Sequence, residues 1–166
     1  KPAHVLYPGK EYCGNIIVAD IGISKRTVAE VEPDIFINRQ EIWKKHLPIL
    51  SDDGHKYNRG HAVVVSGDMI HTGACRLAAE AALRVGAGLV SVSSPEDALS
   101  VHAAHLTAVM IRRRDQLTAD LSDERLNSWC IGPAAGVDNR TKEDVLEILN
   151  AGKSVVLDAD ALSALS

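Results

Sequence analysis

From residue 61 onward the sequence alternates short β-branched, apolar runs with longer stretches of helical periodicity. That rhythm constrains the fold more than any other feature of the chain. Strands are predicted over 61–65, 89–93, 107–111, 129–131 and 154–157. Helices are predicted over 72–85, from the Ser94-Pro95-Glu96 start to about 105, over 123–127 and over 141–149, and another opens at Asp160-Ala161-Leu162. In the first of these, Leu77, Ala78, Ala81, Ala82 and Val85 share a face, and Gly86 follows as a C-terminal cap. The strands are apolar throughout rather than alternating, as strands buried on both faces are. Such repetition builds a parallel sheet with helices on both sides. The expected fold is α/β, a three-layer α-β-α arrangement with a mostly parallel sheet.

Composition narrows what such a sheet can serve. The 166 residues make one ordinary domain or two incomplete ones, and 46% apolar with 24% charged is the globular range. Disorder, collagen and coiled coil are excluded as the main architecture. Aromatics are only 4%, so the core must be aliphatic and alanine-rich. Eighteen basic against 22 acidic residues give a net charge of −4, which offers no general pull toward nucleic acid or an anionic membrane. No apolar run reaches the length of a membrane span, and the start lacks the pattern of a secretory signal. Cys13, Cys75 and Cys130 are odd in number and far apart, so they read as reduced thiols of a cytoplasmic protein.

Before the alternation begins the pattern is looser. Residues 15–20, between Gly14 and Gly22, predict a strand, and 24–33 reads as a polar linker. Asn38-Arg39-Gln40-Glu41 has the spacing of a capping box, predicting a helix that runs to Pro48, and 51–59 reads as a polar loop. The chain opens on Lys1 and closes just past a helix start, so it is expected to be a piece of something longer.

Ligands of a parallel sheet sit at the carboxyl ends of its strands. That rule selects three loops: 66–73, 132–139 and 158–160. The first, Ser66-Gly67-Asp68-Met69-Ile70-His71-Thr72-Gly73, joins a strand to a helix and is either a phosphate cradle or a plain turn capped by Thr72. The second, Gly132-Pro133-Ala134-Ala135-Gly136, either frees backbone N–H groups for a ligand or is a tight turn. Asp158 and Asp160 can hold Mg²⁺ or a ribose hydroxyl, or one of them caps the following helix. The polar cluster from His55 to His61 lacks zinc spacing, and Arg112-Arg113-Arg114 reads as a solvated strand end. The G-x-x-x-x-G-K-[ST], G-x-G-x-x-G and G-x-S-x-G motifs are absent, which argues against Walker-type ATPases, standard dinucleotide dehydrogenases and α/β-hydrolases.

Several strings in order carry a resemblance. They are His55-Lys56-Tyr57-x-Arg59-Gly60-His61, Ser66-Gly67-x5-Thr72-Gly73-Ala74, Ala81-Ala82-Leu83-Arg84-x-Gly86-Ala87-Gly88-Leu89-Val90, Gly132-Pro133-x2-Gly136 and Leu157-Asp158-Ala159-Asp160-Ala161-Leu162. Together they resemble the ADP/ATP-dependent NAD(P)H-hydrate dehydratases, whose fold is ribokinase-like, over residues 54–166. Upstream, Lys1-Pro2-Ala3-His4 to Pro8-Gly9 and Cys13-Gly14 to Ile23 are similar to the end of an NAD(P)H-hydrate epimerase domain. The resemblance implies a tail of that epimerase with a linker over 1–33 and the first half of the dehydratase domain over 34–166, from a bifunctional parent.

What it implies for function is a hydro-lyase that repairs cofactors. NADHX and NADPHX are hydrated, redox-dead forms of NADH and NADPH; with ADP or ATP, and Mg²⁺, the added hydroxyl is phosphorylated and phosphate is eliminated. K⁺ would serve the epimerase half of the parent, and a homo-oligomer is expected. By carry-over, Gly73, Ala74, Gly132 and Gly136 would line the hydrate pocket, with Asp158 and Asp160 near its floor. The chain departs from the family's Gly-Pro-Gly-Leu-Gly at Ala134 and Ala135, and from its Gly-Gly-Ser at Asp68, where a carboxylate beside phosphates is unexpected. The family's His-x-Gly-Glu segment, nucleotide loop and Gly-x-Gly-Asp aspartate do not occur in these residues, so no catalytic residue is expected within them. The rival readings are a sugar or alcohol kinase of the same fold and a nucleotide-binding module without turnover.

Overall fold

The computed structural model describes residues 1–32, 34–48 and 54–166. The chain divides into two compact units, Lys1–Pro48 and Ile49–Ser166.

The first unit has no buried residue among those described. It holds short 3₁₀ turns at Pro2–His4 and Gly9–Tyr12, then helices α1 (Lys25–Glu30) and α2 (Gln40–Trp43), the latter running on into a 3₁₀ turn at Lys44–His46. Two expectations change here. Residues 15–20 form no strand: their backbone finds no ladder partner, and Ile17 and Val18 stand exposed. The presumed linker contains α1, because the Ser24 hydroxyl accepts from Thr27 N–H at 3.1 Å and so starts a helical turn. The capping-box helix is split, since Asn38 accepts from Trp43 Nε1 at 2.8 Å instead of capping, and Arg39 takes the cap position.

The second unit has the expected layers. Strands β1 (His61–Val65), β2 (Leu89–Ser94), β3 (Met110–Arg113), β4 (Ser128–Ile131) and β5 (Ser154–Leu157) form one sheet in the order β3-β2-β1-β4-β5, every neighbouring pair parallel. Val64 lies beside Val92 and Cys130 in the register. Alternate side chains of β1 feed two separate cores. Val63 and Val65 pack with Trp129, Ile131, Val145 and Ile148 on one face; Val64 packs with Val90, Val92, Cys75 and Ala79 on the other. Each large aliphatic side chain buried this way is worth about 1.5–3 kcal/mol.

The helices divide accordingly. α3 (Thr72–Val85) covers the Val64 face, with α4 (Leu99–His105) beside it. α5 (Leu117–Leu121), α6 (Asn139–Asn150) and α7 (Asp160–Ala164) cover the Val63 face. The side of α3 turned to the sheet is Thr72, Cys75 and Ala79, small residues that let a helix lie close on strands; Leu77 and Val85, expected to share the buried stripe, are exposed. No helix forms over 123–127. The Asp123 carboxylate accepts from Arg125 N–H at 3.0 Å, which favours a turn over a helix, and the helix lies earlier, at α5. Ser94 belongs to β2, its hydroxyl donating to the Pro95 carbonyl, so a 3₁₀ turn at Glu96–Ala98 precedes α4. The third strand lies later than predicted, at β3. The loop expected over 51–59 falls in part outside the described residues. Cys13, Cys75 and Cys130 are unpaired, and among the described residues no helix is long and apolar enough to cross a membrane.

Candidate functional site

The strand order reverses direction between β1 and β4, and loops leaving such a switch point diverge to open a crevice. Here the loops after β1, β4 and β5 do not simply diverge; the β4 loop touches each of the other two backbone to backbone. A Cβ on Gly67 would strike the carbonyl oxygen of Ala134, and one on Gly132 would strike that of Asp158. Glycine at these two positions is therefore a matter of space, and it fastens the three loops into one rim.

Above that rim lies a cavity of about 320 Å³, with Asp68, His71, Asp97, Arg114, Ala134 and Asp160 among its walls. Its carboxylates build the loops as well as line them. Asp68 Oδ1 accepts from the N–H groups of Ile70 (3.2 Å) and His71 (3.1 Å) and lies 2.7 Å from His71 Nδ1. This explains the aspartate that looked out of place beside phosphates: it caps its own loop. Asp97 Oδ2 accepts from Met69 N–H at 3.1 Å, tying the 3₁₀ turn after β2 to the same loop. Asp160 Oδ2 accepts from Gly136 N–H at 2.9 Å, which ties the β5 loop to the β4 loop. Asp138 Oδ1 accepts from Thr141 N–H at 2.8 Å, capping α6, and that bond holds its carboxyl below the ordinary range.

The buried corner of the cavity is Arg114, only 5% exposed. Its Nη1 donates to the Ser66 carbonyl at 3.0 Å, its Nε to Asp144 Oδ2 at 2.6 Å and its Nη2 to Thr141 Oγ1 at 3.3 Å. Thr141 Oγ1 in turn donates to the Ala135 carbonyl at 3.0 Å. A buried guanidinium needs this many acceptors, since an unpaired charge in the interior is strongly disfavoured. Burial pushes the Asp144 carboxyl above its ordinary value, with the Arg114 charge opposing.

Two alanines of the rim sit in backbone conformations that side chains disfavour. Ala134 has φ 57°, and Ala159 has φ 43° with ψ −117°. Such residues hold about 1–2 kcal/mol of strain each and tend to collect at functional sites.

The residues singled out from sequence fall as follows. Gly136 and Asp160 line the cavity. Gly132 lies beneath it against the Asp158 backbone, and the Asp158 side chain is exposed. Gly73 and Ala74 form the exposed first turn of α3 and are not among the lining residues. Thr72 is buried in that turn, with His71 at the cap position. Among the described residues no group of three or more His, Cys, Asp or Glu can hold a metal ion. His61 opens β1 at the amino end of the strand, buried and 2.8 Å from Ser91 Oγ, where burial lowers its pKa. The arginine run was misread. Arg112 pairs with Asp120, only Arg113 is a solvated strand end, and Arg114 turns inward to the cavity. Sequence reasoning also missed His71, Asp97 and Asp138; the loop positions of His71 and Asp138 were the available signal.

Comparisons with known proteins bear on the same residues. The family model for NAD(P)H-hydrate dehydratase matches residues 62–166. The bifunctional NAD(P)H-hydrate repair enzyme Nnr of Coxiella burnetii is 34% identical over 99% of this chain, which covers 34% of that protein. The chain thus spans about a third of the length of the curated relatives it matches. The ADP/ATP-dependent NAD(P)H-hydrate dehydratase of Bacillus subtilis, co-crystallised with ATP and Mg²⁺, superposes with a TM-score of 0.62 at 26% identity, over 75% of this chain and 46% of that one. A ribokinase-like superfamily protein of Enterococcus faecalis gives 0.64 at 20% identity, over 80% of this chain and 50% of that one, which places the fold.

Proposed function

The chain belongs to the NAD(P)H-hydrate dehydratase family, and we propose that it supplies the hydrate-binding rim of an enzyme that returns NADHX and NADPHX to NADH and NADPH. The observation that carries this is the cavity at the β1/β4 switch point, built by the same loops that match the family. In the proposed reaction ATP or ADP phosphorylates the hydroxyl of the hydrated nicotinamide, and loss of phosphate then restores the ring. Positioning does most of the work in phosphoryl transfer, and a rim whose loops are stitched together suits it. Asp160 and Gly136 stand where a hydroxyl-bearing ring can meet them, and Gly132 holds the backbone beneath. Mg²⁺ comes with the nucleotide phosphates in this reading. An epimerase activity and its K⁺ belong to the rest of a bifunctional parent in the cytoplasm.

The test is calorimetric titration of the chain with NADHX, with NADH and a panel of sugars as controls. Saturable binding of NADHX, with none of the sugars competing, is the expected result. Recovery of reduced-nicotinamide absorbance on adding ATP and Mg²⁺ then reports whether turnover accompanies binding. Sugar binding without NADHX binding would replace this function with that of a sugar kinase.

A further inference from the structure

We propose that Arg114 is the positioning residue of the cavity, one guanidinium that sets the spacing between the β1 loop and the β4 loop. It reaches the first directly, at the Ser66 carbonyl, and the second through Thr141, whose hydroxyl passes the contact on to the Ala135 carbonyl. Asp144 on α6 fixes the guanidinium plane at 2.6 Å. Ser66 is itself pinned, its N–H donating to the Ser93 carbonyl at 2.9 Å and its hydroxyl 2.8 Å from His102 Nε2, so the anchor on the β1 side is stiff. The walls that Arg114 joins are the walls of the cavity, which it also lines. No side chain among the described residues donates to both loops, so the Arg114–Thr141 relay is a side-chain link between them. The planar fork of arginine is required, because a lysine ammonium in the same place cannot satisfy acceptors in divergent directions from one fixed plane.

Two variants test this by amide hydrogen exchange on the full chain. Arg114→Lys keeps the charge opposite Asp144 and loses the fork. Exchange at His71, Ala135 and Gly136 should quicken about tenfold or more, the usual consequence of losing a charged hydrogen bond, and clearly more than at Val64, Val92 and Cys130 in the sheet. Thr141→Val removes the relay to Ala135 and one Arg114 acceptor but leaves Arg114 on the Ser66 carbonyl, so Ala135 and Gly136 should quicken more than His71. Equal quickening of loops and sheet would make Arg114 a general stabiliser and overturn the proposal. So would no quickening, or a Thr141→Val variant that moves both loops alike. Should Arg114→Lys fail to fold, Thr141→Val decides by itself.

The ligand arm rests on the hydrate-binding function proposed above. NADHX should bind Arg114→Lys about tenfold more weakly than the parent chain at a temperature where both are fully folded. Unaltered NADHX affinity in a variant whose loops have loosened would overturn the positioning role. If the parent chain itself fails to bind NADHX, the proposed function falls, and the exchange arm still decides the role of Arg114.

Discussion

The β1 loop and the β4 loop face each other across one cavity and reach their conformations by opposite means. The β1 loop contains no residue with positive φ; its Gly67 makes room for the Ala134 carbonyl, and side-chain caps from Asp68 and Asp97 hold the rest. The β4 loop turns on backbone dihedrals, with Gly132 at φ 129°, Ala134 at 57° and Gly136 at 91°. One loop uses glycine for space and satisfies its N–H groups with carboxylates. The other uses glycine for conformation, at Gly132 for space as well, and at Ala134 keeps a methyl group where glycine would be relaxed. The relaxed loop is the one Arg114 grips directly, and the strained one is held at second hand through Thr141. Strain in this rim persists because its neighbours over-determine it.

The contrast is broken most severely by filling the space at Gly67. Gly67→Ala should destabilise the unit by about 3 kcal/mol, because the new methyl meets a backbone carbonyl that cannot rotate away. Urea denaturation measures it. A loss below about 1 kcal/mol, within the range of ordinary surface changes and mild repacking, would mean that the two loops slide freely past each other.

Acid separates the two anchors without mutation. Asp144, which fixes Arg114, has its carboxyl raised by burial; Asp138, which caps α6 beside the β4 loop, has its carboxyl lowered by the Thr141 N–H. As pH falls from neutral, Asp144 takes its proton first and Asp138 last. The Arg114 Nε–H resonance should therefore shift at a higher pH than the Thr141 amide. The stability contributions have opposite signs. That of Asp138 is complete above the unfolded carboxyl pKa and is lost as pH falls through its lower folded value. Asp144 binds its proton more readily folded than unfolded, so its ionisation removes stability as pH rises through the folded pKa. A Thr141 amide that moves first would show that burial does not govern Asp144.

Much of this was legible in the sequence, and the reasons are local. Periodicity located the parallel sheet and its layers, because β1 and α3 carry their signals in contiguous residues. The rule that ligands gather at strand ends then selected loops that border the cavity. What failed depended on partners far along the chain. Residues 15–20 look like a strand until no ladder partner is found, and 123–127 looks helical until Asp123 folds back on its own turn. Arg114 is the instructive case. A run of three arginines reads as solvated, yet the third points inward, toward acceptors at Ser66, Thr141 and Asp144. Neither its burial nor that convergence is written near it in sequence. The resemblance flagged Ala134 as a departure, but only the dihedral shows what the departure stores.

The smallest effect is the sharpest test of the contrast, because its sign runs against habit. Removing a methyl group normally destabilises, through lost contacts and a more flexible unfolded chain. At Ala134 the φ of 57° favours glycine by about 1–2 kcal/mol, against an entropic penalty for glycine of about 0.5–1 kcal/mol, so Ala134→Gly should stabilise by about 0.5–1 kcal/mol. Ala159→Gly should stabilise at least as much, since its ψ of −117° at φ 43° is glycine territory. The same change at Ala74, in the regular first turn of α3, should destabilise by up to about 1 kcal/mol, which makes it the internal control. Thermal melts of the three variants side by side give the answer. Stabilisation at Ala134 and Ala159 together with loss at Ala74 ties the effect to the left-handed backbone. Loss at all three would mean that the methyl groups of Ala134 and Ala159 contribute more through packing than their backbone stores in strain, and strain would not be what separates the β4 loop from the β1 loop.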